Sequence, residues 1–362
     1  MKINQIEPYL SNKESAAVAE YLKSGGWLTE FKKTKDFERR IAEYIGVKHA
    51  VLVPSGTVAL YLALLSVGIK PGDKVAVPNY TMIATINVIK WAGAEPIIFD
   101  VNEDTMCMDF NAIKSSLSSF KAILYVAING RSGNMNDYVN YCKDNNLFLI
   151  EDSAQAMGSC FENKFLGTFG DLGVFSLTPH KIITTGQGGI IITNNSEYYS
   201  KVKALKDFSR TKPGVDIHND IGYNFKFTDI QSVIGIEQIK TIDFRIQRKK
   251  ELYNDYCNKL QHVSNIQFFE TDLDQVTPWA IDIVLKSKEI RDDLAKFLLV
   301  QGIGTRIFYP ALNSQLPYSH FKKGSFPTSE SITEKGLWLP SSIGLSENEV
   351  DYVCDNIIEY FQ

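Results

Sequence analysis

The sequence predicts an α/β protein: a large domain whose mostly parallel central sheet is covered by helices, followed by a smaller C-terminal α+β domain. Three observations lead there. From about residue 50, short apolar runs alternate with helical patterns. The runs are continuous rather than alternating with polar residues, as strands buried on both faces must be. Beyond a long helical region the pattern changes to mixed strands and helices. A chain of 362 residues has the length for one large and one small domain.

The first strand is read at Ala50-Val51-Leu52-Val53, ahead of a helix from Thr57 to Val67. Lys74-Val75-Ala76-Val77 precedes a second helix beginning near Met82. Pro96-Ile97-Ile98-Phe99 leads to a helix near Asp109 to Leu117, and Ala122 to Val126 leads to one near Asn136 to Asp144. Leu147 to Ile150 is a further strand. Gly170 to Leu177 and Gly189 to Thr193 are strands with no long helix between them, which predicts a local antiparallel excursion, because a parallel return needs a crossover. A helical region from roughly Thr228 to Leu260 follows, then strand Ile281 to Val284, helix Ile290 to Leu299, strand Gly304 to Tyr309 and a final helix Glu347 to Tyr360. The expected division is residues 1–240, with the N-terminal segment, as the large cofactor-binding domain. Residues 241–362 form the small domain, introduced by a long linking helix.

Composition narrows the function classes. The formal net charge is -4 with both signs interspersed and no basic arm, so no nucleic-acid partner is expected. Apolar runs such as Ala122 to Ile128 are far shorter than the roughly 20 residues of a membrane span. Met1 to Glu7 lacks the apolar core of a signal peptide, and a soluble, cytoplasmic protein is expected. The five cysteines are scattered without a CxxC pair, and the five histidines are dispersed. Reduced thiols and no metal site are the expectation.

In an open parallel sheet, ligands bind at the carboxyl ends of the strands. Three segments sit at such ends. Pro54-Ser55-Gly56-Thr57 joins a strand to a helix: its backbone N–H groups and hydroxyls form either an anion cradle or an ordinary N-cap. Glu151-Asp152-Ser153-Ala154-Gln155-Ala156 follows a strand directly. There Asp152 suits a protonated ring nitrogen, Ala154 lets a flat ring lie on the backbone, and Gln155 suits a ring hydroxyl; a loop cap or ion pair is the plainer alternative for the aspartate alone. The third runs from Phe175 to Gly189 and carries Ser176 and Lys181 beside a small-residue, Gly-rich turn. A lysine so placed suits an amine that must be desolvated to attack a carbonyl, although alone it reads as a solvated lysine before a β-turn. Together the three supply a phosphate anchor, a partner for a ring nitrogen and a Schiff-base amine, the parts that hold pyridoxal phosphate.

Ser55 to Leu60, Glu151 to Gln155, Phe175 to Gly189 and Gly222-Tyr223-Asn224-Phe225-Lys226-Phe227-Thr228 resemble the nucleotide-sugar aminotransferases of the DegT/StrS type, which are fold-type-I pyridoxal-phosphate enzymes. The resemblance runs from Gly26-Trp27-Leu28 to Leu339-Pro340. Arg306 to Ala311, followed by Leu316-Pro317-Tyr318, looks most like the perosamine-synthase-like members that aminate 4-keto-6-deoxy sugars. The resemblance implies that Lys181 forms the internal Schiff base and moves protons, and that Asp152 faces the pyridine nitrogen. Gln155 would face the phenolic oxygen, and Gly56, Thr57 and Ser176 would hold the phosphate, with Ser55 and Ala154 beside them. Asn224 would reach that phosphate from a partner subunit, making an obligate homodimer with shared sites. The implied reaction moves the amino group of L-glutamate to a nucleotide-linked keto sugar, for amino-sugar or O-antigen biosynthesis.

The chain also departs from the family pattern. Met82 stands where the family stacks an aromatic residue on the cofactor, with Tyr80 nearby as a substitute. Gln187 replaces a glutamate, Lys226 an arginine, and Ala127-Ile128-Asn129-Gly130-Arg131 a His-x-Tyr-Gly segment. Asn129 and Arg131 read as contacts to a sugar or nucleotide phosphate, or as a structural turn with a solvated arginine. His180 reads as a substrate or cofactor-phosphate contact, or as structural. Arg306 reads as a contact to substrate phosphate or to the donor's carboxylate, or as a structural ion pair. Trp279 and Trp338 read as core aromatics rather than sugar platforms. Three rivals remain at this point: a sugar dehydratase of the same fold, which carries histidine at the lysine position; an aminotransferase for a small keto-phosphate; and a non-catalytic regulatory relative.

Overall fold

The structure, a computed structural model, describes residues 1–212, 214–322 and 325–362. Its strands in chain order are β1 (His49–Val53), β2 (Lys74–Pro78), β3 (Glu95–Phe99), β4 (Ala122–Val126), β5 (Phe148–Asp152), β6 (Cys160–Phe161), β7 (Lys164–Phe165), β8 (Leu172–Ser176), β9 (Gly189–Thr193), β10 (Ile266–Phe268), β11 (Ile281–Leu285), β12 (Arg306–Ile307) and β13 (Gly336–Leu339). Seven of them form one sheet in the order β1-β9-β8-β5-β4-β2-β3. The pairs from β3 to β8 are parallel, whereas β9 runs antiparallel to both β8 and β1. The expected antiparallel excursion is therefore present. The chain between Ser176 and Gly189 holds no helix to cross the sheet, so these two residues pair directly across a turn. That turn carries Lys181.

Strands β4, β8 and β9 are buried along their whole length, which is why their sequences are unbroken apolar runs. Helix Gly56–Ser66 is buried on nearly every side, through Ala59, Leu60, Leu62, Ala63 and Leu64, and fills the space between sheet and surface. The carboxyl ends of β1, β5 and β8 and the start of β9 lie at one edge of the sheet, and this brings Ser55, Asp152, Ser176 and the Lys181 turn together.

The helical region after Thr228 is not one helix. It divides into Asp229–Ile239 and Ile242–Leu260. At the break the Thr241 N–H and hydroxyl both donate to the Gln238 carbonyl, each at 3.1 Å, and close the first helix before the second begins. The four-stranded sheet that follows is antiparallel, in the order β10-β11-β13-β12. The strand expected over Gly304 to Tyr309 pairs only at Arg306–Ile307. Ile3 forms an isolated parallel bridge with Ile303 and shares a core cluster with Leu252 and Leu298, so the start of the chain packs beside this second sheet.

Two helices at the N-terminal side, Asn12–Lys23 and Lys32–Ile45, carried local signals. Ser11 and Glu14 form a capping box, and Phe37, Ile41 and Ile45 bury one face at a spacing of one turn. Among the described residues no helix is long and apolar enough to cross a membrane.

Candidate active site

The helix after β1 begins at the sheet edge. Ser55 is its N-cap, its Oγ accepting from the Val58 N–H at 3.2 Å. The first helical N–H groups, on Gly56 and Thr57, have no partner within the helix and lie where the cavity is. The serine therefore caps the helix, and the next two N–H groups are left without a helical partner at the cavity. Gly56 packs closely on the end of β8: a Cβ there would meet the Ser176 Cβ at 3.2 Å, a tight contact that would push the two loops slightly apart. The end of β8 and the helix start are held against each other, with both hydroxyl-bearing loops facing one space.

Asp152 ends β5 and is only 6 % exposed. Its carboxylate accepts from the Thr85 hydroxyl at 2.8 Å and the Ala154 N–H at 3.2 Å, and the Thr85 and Thr81 hydroxyls are 2.9 Å apart. Burial pushes the Asp152 carboxyl up, while those hydrogen bonds and the charge of Lys181 pull it back. Gln155 is oriented by a neighbour. Its Oε1 accepts from the Asn129 N–H at 2.8 Å. Only an oxygen can meet that donor, so the amide NH2 is the end left for the cavity.

Lys181 is half-buried at the turn after β8. Its backbone N–H donates to the Thr178 carbonyl at 3.0 Å, but its Nζ makes no hydrogen bond among the described residues. It lies 4.5 Å from the centroid of the Trp279 ring. Desolvation pushes the amine down to about 8, with Arg306 adding to the fall and Asp152 opposing it. Arg306 is exposed at the rim, stacked over Tyr309 and Trp338 at 5.3 and 5.6 Å, and has no carboxylate partner among the described residues. The structural ion pair considered for it is absent. His180 is exposed; burial of part of its ring and the Lys181 and Arg306 charges hold it below the ordinary histidine range.

These groups surround a cavity of about 390 Å³. Of the residues assigned from the sequence to catalysis, cofactor or substrate, all but Asn129, Arg131 and Asn224 line it. Asn129 and Arg131 require correction. Asn129 sits in the left-handed backbone region, and its side-chain amide spans the Ala280 backbone, accepting from its N–H at 2.7 Å and donating to its carbonyl at 2.9 Å. Arg131 is 4 % exposed, paired to Asp282 through both terminal nitrogens and stacked over Phe269. With their polar atoms spent inside the protein, neither is free for a sugar or phosphate, and the arginine is not solvated. Asn224 is exposed and lies outside this chain's own cavity.

Other residues entered the site without being read from the sequence. Thr81, Thr85 and Tyr309 line the cavity, and so does Trp279, expected in the core. Trp338 is buried and stays in the core. Tyr80 is buried against Phe308 and does not reach the cavity, so the position of the usual aromatic wall is left to Met82. The Met82 side chain is 46 % exposed, its sulfur accepting from the Ala84 N–H at 3.0 Å.

The donor set fits pyridoxal phosphate: orphan helix N–H groups beside a serine, a buried carboxylate with room on its cavity side, and an amine without a hydrogen bond. Comparison with known proteins agrees. Residues 8–358 match the DegT/DnrJ/EryC1/StrS aminotransferase family. A GDP-perosamine synthase from Escherichia coli O157:H7 is 36 % identical, over 98 % of this chain and 97 % of that protein. The GDP-perosamine synthase of Vibrio cholerae is 33 % identical, over 98 % of each chain. Among solved structures, the PLP form of a sugar aminotransferase from Streptococcus pneumoniae superposes with a TM-score of 0.93 at 25 % identity, covering 99 % of this chain and 98 % of that one. The chain belongs to the DegT/DnrJ/EryC1/StrS aminotransferase family.

Proposed function

For this member of the family, a pyridoxal-phosphate-dependent nucleotide-sugar aminotransferase, we propose that the acceptor is a nucleotide-linked 4-keto-6-deoxyhexose and the donor L-glutamate. The observation that carries the reading is Lys181: an amine pushed down to about 8, with no hydrogen bond, facing a cavity that also holds Asp152 and a helix N-terminus. When bound, the cofactor supplies an aldehyde to carry the amino group and a ring that takes up the electron pair released at carbon.

The chain's residues divide the remaining work. The Gly56 and Thr57 N–H groups, with Ser176, hold the phosphate through the helix dipole and direct donors. Asp152 keeps a ring nitrogen protonated; Thr85 and Ala154 fix its carboxylate so that a lone pair stays toward the cavity. The Gln155 NH2 group donates to the ring oxygen, and Ala154 leaves room for the ring. Lys181, a substantial fraction of it neutral at physiological pH, takes a proton at Nζ from the donor's α-carbon and returns it on the other side of the transfer. Arg306, uncompensated at the rim, receives an anionic group of donor or acceptor, and its fork suits either carboxylate or phosphate. His180 lines the same rim as a secondary contact.

The proposal extends to the assembly. The active unit is a cytoplasmic homodimer in which Asn224, exposed and outside its own cavity, reaches the phosphate site of the partner. The large unit spans residues 1–240 and the small one 241–362, dividing at the Thr241 break. The product is an amino sugar for a surface glycan.

Borohydride reduction of the chain with pyridoxal phosphate, followed by peptide mapping, tests the core of this reading. The label belongs on the peptide containing Lys181. A label elsewhere, or none, overturns the assignment. A panel of nucleotide-linked keto sugars with mass detection tests the acceptor; amination of a small keto-phosphate in their place would replace it.

A further inference from the structure

The lysine turn is held by a tryptophan that is remote in sequence. The Trp279 indole Nε1–H donates to the carbonyl of His180, the residue before the lysine, at 2.7 Å. The face of the same indole lies under the Lys181 Nζ, 4.5 Å from the ring centroid. One side chain therefore fixes both the backbone that launches the lysine and the place where its amine rests. Lys181 has four rotatable side-chain bonds and, among the described residues, no hydrogen bond to Nζ; the indole is the direct contact that selects among its positions.

Trp279 is itself held from several directions. Its carbonyl accepts from the buried Lys249 Nζ at 2.7 Å. Its ring meets Trp338 edge to face, with centroids 5.4 Å apart and planes at 79°. The next residue, Ala280, is bound through both backbone polar groups to the Asn129 side chain. Asn129 also orients Gln155 through its own N–H. One loop residue outside the cavity thus sets the distance between the Gln155 wall and the Trp279 wall. At 5 % exposure Trp279 has little surface to offer a sugar, and the part that lines the cavity lies beside the amine.

We propose that Trp279 is the positioning residue for Lys181: its indole face receives the free ε-amine, and its ring N–H anchors the turn, so that the amine meets the cofactor carbon from one fixed direction. The inference rests on the cofactor reading above. A protonated amine is held on the face by the ring quadrupole, and a neutral amine directs an N–H at it, so the resting place serves both protonation states that proton transfer visits. Trp279 meets the Lys181 amine only through its ring face and exchanges no proton with it, and it acts through position.

The test separates aiming of the amine from shape of the cavity. Two quantities are measured on the cofactor-free chain: the rate at which Lys181 condenses with pyridoxal phosphate, followed by absorbance, and the affinity for pyridoxamine phosphate, which makes no bond to the lysine. In W279L condensation is expected to slow by about tenfold or more, while pyridoxamine phosphate affinity stays within about threefold. W279F keeps a ring face without the N–H and is expected to fall between. Condensation at the wild-type rate overturns the proposal, as does an equal loss in both quantities, which would make Trp279 a wall of the cavity. If W279L does not fold, W279F decides alone: slower condensation with pyridoxamine phosphate affinity kept supports the proposal, and an unchanged rate or an equal loss in both overturns it. A wild-type chain that never condenses would sink the cofactor reading instead. The contact is then read from acetylation of Lys181 at about pH 10, where the amine is largely neutral. Faster acetylation in W279L than in wild type supports the shielding contact, and equal rates overturn it.

Discussion

Lys181 and Lys249 are both withdrawn from water, and desolvation pushes them down to about 8 and about 7. Their surroundings differ in kind. Lys249, in helix Ile242–Leu260, donates to the carbonyls of Trp279 and Ser341 and ties that helix to the second sheet. Two of its donors are used, and it does not line the cavity that Lys181 faces. Lys181 has the same chemistry, but among the described residues its Nζ makes no hydrogen bond, resting only on the Trp279 ring face, and a cavity lies in front of it. A depressed amine is therefore not by itself the mark of a reactive one; an unmet valence facing open space is. The adjacent carboxylates of β5 repeat the lesson. Glu151 accepts from the N–H groups of Gly167, Phe169 and Gly170 at 2.6–2.7 Å and shapes a loop. Asp152, the next residue, is held by two donors and keeps a side toward the cavity.

The lysines can be pulled apart most sharply by deletion. Lys181→Ala should lower kcat on the order of 10³-fold or more without lowering the melting temperature, because it also removes a desolvated charge. Lys249→Ala should do the reverse. It strips two buried carbonyls of their donor and should cost about 2–4 kcal/mol of stability, while the folded fraction keeps turnover within a few-fold. Urea titration and single-turnover kinetics on both variants check this; a catalytic loss in Lys249→Ala matching that of Lys181→Ala would erase the distinction.

The carboxylate pair should part in the same way. Asp152→Asn removes the charge opposite the ring nitrogen and should reduce kcat on the order of 10²-fold with little change in stability. Glu151→Gln presents an NH2 group to backbone donors and should destabilise by about 2 kcal/mol without changing the cofactor spectrum. If Glu151→Gln shifts that spectrum and Asp152→Asn does not, the assignments are reversed.

A third measurement uses pH. Each lysine has a folded-state value below the unfolded one, so the folded chain binds fewer protons between the two and stability rises with pH across that interval. For Lys249 the rise begins near 7 and for Lys181 near 8, and both are complete by the ordinary lysine value of 10.5. Below those points the penalty of a buried charge is fully present. Lys249→Met should flatten the part of the stability–pH curve that begins near 7. An unchanged slope would mean that the two carbonyls hold Lys249 charged throughout. The rate of a step in which Lys181 acts as the free base should rise with pH around 8 in wild type and in Lys249→Met alike.

The smallest effect concerns the cavity wall. Met82→Phe restores an aromatic face where a flexible thioether stands, and should tighten pyridoxamine phosphate binding by about two- to fivefold. Weaker binding would show that the exposed Met82 side chain covers the ring in a way phenylalanine cannot.

Much of this was legible in the chain. The buried strands announce themselves as unbroken apolar runs, and Ser55, Asp152 and Lys181 stand at or just after a strand's carboxyl end, where parallel sheets bind ligands. Ser11-x-x-Glu14 and the Phe37, Ile41, Ile45 spacing are local signals as well, but the expected elements begin at residue 50 and miss the first two helices. Less legible were roles that depend on a distant partner. Asn129 and Arg131 look like site residues in a loop at the sheet edge, and only the position of Ala280 and Asp282 across the second sheet commits them elsewhere. Trp279 looks like a core residue, and only the turn after β8 gives it a lysine to hold.

The sequence by itself determined the α/β class, the strand ends that carry the chemistry and the residue types placed there, because hydrophobic period and turn chemistry act between neighbours. The tertiary structure alone decided which of those polar groups stay unsatisfied. A side chain's free valence depends on whether some remote backbone group consumes it, and chain closure brings such groups together without leaving a local pattern to read.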